Sequence, residues 1–468
     1  PCAAWLPTIY QNPADSPPTW HTIIARSSAP TNIITPIPID PVQSVDHRAS
    51  RKSRFLKMFS HAVSIFVILG LRQLGLFQHL ELKAFDQFMH LRAREAPDSR
   101  FLIVTVTDAD IQAQPDKYRR GSLSDKALLA LMKALETMEP RVIGLDIYRD
   151  FLVQPQYPEL ASMLATHDNF LAVCKSRDSV TGSAAIAPPP EVSDERVGFS
   201  DFLVDTDGGV RRQLLAMKPE PSSSCTTEYS FGALLALNYL AVEEVITKAS
   251  PQGYLQINDL IFTPITDSQG SYQNVDSRGQ QLLLNYRSLA RPDQIADSVT
   301  LTEVLAGDVN PESVRDRIVL IGTTDISYGD LWLTPYSKSS RAEDQTSGVF
   351  MQAQMASHLI SAVLDDRPLI KTWPDWGELV WLLLWGCIGS LLIAGWRKHQ
   401  HYTLSRYILS LLATELSLFG TCWLLLSRYY YWVPWAPPTA LLLIIFGILP
   451  IYEHLLLSPS KVNIKEAL

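Results

Sequence analysis

Carboxylates at the ends of apolar, strand-like runs are the residues of this 468-residue chain best suited to chemistry. Asp108 and Asp110 follow FLIVTVT (Phe101–Thr107), Asp146 lies in RVIGLDI (Arg141–Ile147), and Thr323, Thr324, Asp325 and Asp330 follow IVLIG (Ile318–Gly322). In an open parallel sheet ligands sit beyond the carboxyl ends of the strands, which makes these positions candidate ligand contacts. A second group lies in VGFSDFLVDTDGGVRR, where Asp205 and Asp207 precede Gly208–Gly209 and the pair Arg211–Arg212. Asp beside Gly is also ordinary turn chemistry, because the carboxylate accepts from nearby backbone N–H groups. The arginine pair is equally suited to anchoring carboxylates within a fold. Glu415 stands in a long apolar stretch, where a carboxyl is costly unless protonated, paired or functional. Two readings stay open for it: a packing lock to Ser or Thr of a neighbouring span, and a part in intramembrane signalling.

Enzymatic chemistry has one specific pattern to rest on. Asp108-Ala109-Asp110 after a strand resembles the start of the haloacid dehalogenase phosphatase motif, with Thr323 as the later hydroxyl and Asp365–Asp366 as the metal pair. Gln112 stands where that motif has Thr or Val, and Asp365–Asp366 follow a helical run. The chain has no GxGxxG, no Walker loop and no Ser, His and Asp set in a recognisable context. It has no CxxC pair, and its ten histidines do not fall at metal-ligand spacing. The reading is therefore of a non-enzyme with no catalytic residues, no cofactor and no metal. An external metal-dependent phosphohydrolase is the lesser alternative. A net charge of −8, with no basic patch outside the membrane flanks, argues against nucleic acid. Cys174 and Cys225 show no framework spacing and are expected as separate buried thiols, although an oxidising compartment would let them pair.

The elements that must position these residues alternate. Phe101–Thr107, Arg141–Ile147, Phe170–Cys174 and Ile318–Gly322 read as buried strands, Leu282–Tyr286 as another. Helical spacing marks Ser124–Met138, Pro158–Thr166, Tyr229–Tyr239 and Gly348–Leu364, and Gly253–Val275 reads as hairpins. This order predicts an α/β fold, a mostly parallel sheet flanked by helices. Around it lie about four transmembrane α-helices, expected near Phe59–Leu80, Trp376–Trp396, Tyr407–Ser427 and Tyr431–Ile451. Arg72 and Gln73 interrupt the first, and Arg72 is expected to snorkel to the headgroups. The basic residues Arg48, Arg51, Lys52, Arg54 and Lys57, then Arg397, Lys398 and Arg406, then Lys461 and Lys465, all face the cytoplasm if the chain starts inside and crosses four times. The expected organisation is a Pro-rich tail and linker over 1–46, a basic segment and first span over 47–80, and an extracytoplasmic domain over 81–375. Three spans over 376–452 and a cytoplasmic tail over 453–468 complete it. A chain beginning with Pro1 reads as a piece of a longer product.

The ordered segments GLFQHLELKAFDQFMHLR, RFLIVTVTDADIQ, RVIGLDIYRD, VGFSDFLVDTDGGVRR, LLLNYR, DRIVLIGTTDISYGDLWLTPYS and SGVFMQAQMASHLISAVL resemble the type-two CHASE domain, the extracellular sensory domain of bacterial receptors. The resemblance covers about Leu71 to Ile451 and includes the usual trailing transmembrane helices. Gln352-Ala353 stands where that family typically has His-Ala. The opening PCAAWLPTIYQNPADSPPTW resembles the closing segment of the caspase-like CHAT domain, without a catalytic His–Cys pair. The resemblance implies a multi-pass sensor of the bacterial inner (plasma) membrane that detects an external stimulus and signals to a cytoplasmic N-terminal module. Its partners would be the membrane and an unknown small-molecule ligand or envelope protein, with room for a homodimer. An envelope scaffold is the principal alternative. The helices expected to carry the signal are Glu81–Arg92, continuing the first span, and Gly348–Leu364, running back toward the second.

Overall fold

A computed structural model describes residues 59–114, 120–178, 182–398 and 404–448. The tail and basic run before Phe59, with the CHAT-like segment and Cys2, and the tail after Ile448 lie outside the described residues.

The chain enters through helix α1 (Phe59–Gln73) and turns by 83° into α2 (Gln78–His90). Gly75 makes the turn, with a φ of +73° that a residue bearing a Cβ adopts only under strain. Then follow β1 (Phe101–Val106), α3 (Asp108–Gln112), α4 (Asp125–Glu136), β2 (Val142–Asp146), α5 (Pro158–Thr166), β3 (Phe170–Cys174), β4 (Val197–Phe199), β5 (Leu203–Val204) and β6 (Val210–Ala216). The middle of the chain forms α6 (Phe231–Leu240), β7 (Thr247–Ala249), β8 (Leu255–Ile257), β9 (Leu260–Ile261), β10 (Gln280–Leu283), β11 (Asp297–Thr300), α7 (Leu301–Ala306) and β12 (Ile318–Thr323). Short β13 (Leu331–Trp332) and β14 (Thr346–Ser347) lead into α8 (Gly348–Leu364). The chain ends with β15 (Lys371–Thr372), α9 (Asp375–Lys398), α10 (Leu404–Tyr429), β16 (Tyr431–Trp432) and α11 (Ala436–Leu443).

Six strands form one parallel sheet in the order β11-β1-β12-β2-β3-β4. The buried apolar runs are explained by helices on both faces. On one face, α4 lays Leu128, Leu131, Met132 and Leu135 against the sheet, beside Leu160 of α5 and Val304 of α7. On the other, α6 and α8 bury Phe231, Leu235, Val349 and Leu359. The approach of α8 is so close that a Cβ on Gly322 would stand 2.5 Å from that of Val349. The expected α/β class is the observed one. The expected strand at Leu282–Tyr286 is β10, which joins an antiparallel sheet β10-β6-β5 outside the parallel one. The hairpins expected over Gly253–Val275 reduce to β8–β9, turning at Asn258 with φ +52°.

Two expectations are corrected. Cys174 at the end of β3 is bonded to Cys225, not left as a free thiol, with a Cα–Cα separation of 5.5 Å. And four spans are not seen: among the described residues, only α9 (Asp375–Trp396) and α10 (Ser405–Tyr429) are long and apolar enough to cross a bilayer. The bent pair α1 and α2 makes a third if counted as one span. The stretch from Tyr431 loses its first residues to β16, and Ala436–Gly447 is a shorter apolar helix.

The bundle is continuous with the domain. Leu82, Phe85, Phe88 and Met89 of α2 share one buried cluster with Trp381, Leu418, Leu426, Trp432 and Leu441. α1 runs antiparallel to α9, for Arg72 meets Glu378 at one end and His61 lies 3.5 Å from Ser390 at the other.

Candidate functional site at the carboxyl edge and the helix junction

The carboxyl edge of the sheet gathers some of the candidate residues. Asp146 ends β2 beside Gly322, and Val349 in the first turn of α8 covers that glycine. The carboxylate of Asp330 occupies the space where a Cβ on Gly348 would lie, and its Oδ1 accepts from Trp332 Nε1 at 2.7 Å. Two carboxyls therefore flank the head of α8. Burial, then the charge of Asp330, pushes Asp146 well above the usual carboxylate range. Burial raises Asp330 too, against the hydrogen bond from Trp332. Tyr148, whose hydroxyl shares a 2.6 Å hydrogen bond with Ser200, and Asp201 complete this wall. Gln352 donates from Nε2 to Ser200 O at 3.4 Å. Thr323 Oγ1 and Thr324 N both donate to Val106 O at 3.2 Å. Asp325 accepts from Ser327 N at 2.9 Å.

Asp108 and Asp110 are not brought into that wall as a pair. Asp110 is buried and accepts from Thr107 N and Oγ1 at 2.8 and 2.6 Å and from Thr302 N at 3.0 Å. Burial alone would raise its pKa; the Thr107 and Thr302 hydrogen bonds outweigh it and hold the carboxyl below its usual range. It clips α3 to α7. Asp108 is exposed and accepts from Gln112 Nε2 at 2.7 Å. Asp365 accepts from Arg100 Nη2 at 2.8 Å, at the opposite end of β1. Six residues of strand, about 20 Å, separate Asp365 from Asp108. The phosphatase-like set is therefore split between the two edges of the sheet. Among the described residues no group of three or more His, Cys, Asp and Glu is placed to hold a metal ion.

Asp205, Asp207, Arg211 and Arg212 come together in one ionic cluster, and its remaining member is Asp86 of α2. Arg211 donates from Nε and Nη2 to Asp86 at 2.7 and 2.6 Å and from Nη1 and Nη2 to Asp207 at 2.8 Å. Its Nη1 also reaches Asp205 at 3.1 Å. Arg212 Nε and Tyr272 OH both donate to Asp205, at 3.0 and 2.9 Å. Burial, offset by the bidentate Arg211 contact, leaves Asp207 below the usual carboxylate range. Fork-to-fork geometry of this kind is the strong form of a charge-assisted bond.

Where α2 leaves this cluster it packs among the long apolar helices. Glu81 Oε1 accepts from Trp435 N at 2.9 Å and Ala436 N at 2.7 Å, supplying the cap that α11 lacks from its own side chains. Phe85 packs on Trp432 at a centroid distance of 4.9 Å. Arg72 does not snorkel to the headgroups: it is buried, paired with Glu378 and donating to Gly270 O at 3.1 Å. Neither α2 nor α8 runs straight into a span. The turn at Gly75 breaks the first, and the linker 365–374, which contains β15, follows the second. β15 pairs in parallel with β16, fastening the α10–α11 loop to the base of the domain. Glu415 Oε2 accepts from Thr439 Oγ1 of α11 at 2.8 Å. Asp86, Glu81, Glu378 and Tyr148 escaped sequence reasoning, and only the charges inside amphipathic or apolar runs hinted at the first three.

Residues 63–391, well over half of the chain, match the CHASE2 domain, a family of extracellular sensory domains. Comparison with curated proteins and with solved structures returned no match. The chain belongs to the CHASE2 domain family.

Proposed function

We propose that the chain is the sensing and membrane-coupling part of a multi-pass receptor of the inner membrane, in which the domain faces outward and signals to a module on the N-terminal side of α1. The observation that carries this reading is the double engagement of α2. Asp86 holds the domain through Arg211, and five residues earlier on the same helix Glu81 holds the start of α11. A stimulus that moves the domain against Asp86 therefore either moves α2 or breaks one of these contacts. Breaking a buried ion pair costs about 3–5 kcal/mol. Coupling between two sites needs only about 1–3 kcal/mol, so the cluster is stiff enough to transmit. The Cys174–Cys225 disulfide supports an oxidising exterior for the domain. The β15–β16 pairing keeps the α10–α11 loop on the domain's side.

The test is a distance. Spin labels at Lys126 on exposed α4 and Ser417 on exposed α10 of the full chain report how the two parts move together. One narrow distribution is expected for the parent and a broad or displaced one for Arg211→Ala. An unchanged distribution in the variant would show that the domain and the helices are not coupled through α2.

A further inference from the structure

A half-open cavity of about 850 Å³ lies between the β8–β9 hairpin, β10, the last turn of α8 and the linker through β15. None of the candidate ligand contacts read from the sequence lines it, although Asp366 of the phosphatase-like set does. Such a volume falls within the range of about 300–1,000 Å³ typical of small-molecule sites. Ile257, Leu282, Leu283 and Ile370 form a buried apolar floor, and Leu260 and Ile261 carry the apolar lining outward. A soluble polar ligand would leave that floor without a partner. Two polar groups point to the other end of the occupant. The hydroxyl of Thr372 in the cavity wall is buried without a hydrogen-bond partner. Lys371 is exposed at the rim and forms no ion pair among the described residues, whereas Arg367 is committed to Glu95 at 2.9 Å. Asp259 and Asp366, also exposed at the rim, disfavour a head with several negative charges.

We propose that this cavity binds a single-chain amphiphile with one carboxylate, its aliphatic chain on the Ile257–Leu282 floor and its head between Lys371 and Thr372. The occupant would press on β15, which passes within three residues into α9 and pairs with the α10–α11 loop. Binding itself is independent of the receptor reading; only its role as a stimulus rests on that reading.

Calorimetry on the full chain held in amphipol, with straight-chain carboxylic acids of increasing length, tests the assignment. Affinity should rise about fourfold per added methylene, the equivalent of burying one CH₂, and then level off when the floor is covered. Ile261→Trp, a change at an exposed lining residue, should flatten the series while the melting temperature is kept. Lys371→Gln should weaken the acids and leave the corresponding alcohols unchanged. An Ile261→Trp variant that binds the series like the parent would place the chain on the membrane helices and overturn the site. Alcohols binding as tightly as acids would overturn the head assignment. A photoactivatable phosphatidylglycerol in vesicles should not label peptides 257–265 or 366–372; labelling there would make the occupant a bilayer lipid and overturn the single-chain form. Acid binding that leaves the Lys126–Ser417 distances unmoved would keep this assignment and count against the receptor reading.

Discussion

Asp146 and Asp330 face the head of α8 together with Tyr148 and Asp201, and no cation is paired with Asp146 among the described residues. Both carboxyls have raised pKa values in the folded chain, so the fold favours their protonated forms. The stabilisation is fully present below the ordinary carboxylate pKa of about 4 and is lost as the pH rises through the raised folded values. Asp146→Asn should therefore melt above the parent at pH 7, by about 2–4 °C for each kcal/mol relieved, and the gap should close as the pH falls toward 4. Equal melting at pH 7 would contradict the burial argument. Arg211→Ala should act in the opposite direction, lowering stability by about 3–5 kcal/mol because it takes the bidentate partner from Asp86 and Asp207, a loss readable by denaturant unfolding. At this scale the sequence was informative about residue types and silent about partners. The Asp-Gly turn and the arginine pair stand out in VGFSDFLVDTDGGVRR, but nothing in the string joins Arg211 to Asp86, 125 positions away.

Among the elements, the strands were legible because a strand covered on both faces must be apolar throughout, as Phe101–Val106 and Ile318–Thr323 are. The bend between α1 and α2 was not. The apolar run resumes after Arg72 and Gln73 and continues across the bend, and Arg72 looked like a residue seeking headgroups when it is the partner of buried Glu378. Gly75→Ala should cost more than about 1 kcal/mol in the melting of the full chain, since its φ is positive. If the variant instead melts like the parent, the turn is not held where it is described. The disulfide was hidden for a different reason: it depends on the end of β3 meeting the loop before α6, a tertiary fact. Its reduction should lower stability by about 2–4 kcal/mol, and a reductant-insensitive melting curve would show that Cys174 and Cys225 do not pair.

For the whole molecule, the sheet and the long apolar helices are joined by the order in which the chain builds them. β12 lies between β1 and β2, so the centre of the sheet is complete only after residues 318–323 have been added. The same segment feeds Asp330 and α8, and through the linker the long apolar helix α9. Domain and bundle are thus built as one body, with α1 and α2 entering at one corner and β15 leaving beside it. Composition exposed the apolar helices but overcounted the spans, because β16 and the Gly75 turn divert residues that hydropathy alone assigns to a crossing. The outward-facing domain is the claim on which the receptor reading rests. Single cysteines introduced at Gln269 and at Arg397 of a chain that keeps the Cys174–Cys225 disulfide and has its other cysteines replaced, treated with a membrane-impermeant thiol reagent on intact cells, test it directly. Labelling at position 269 and none at 397 is the predicted result; labelling at 397 with position 269 protected would put the CHASE2 domain in the cytoplasm and contradict the account.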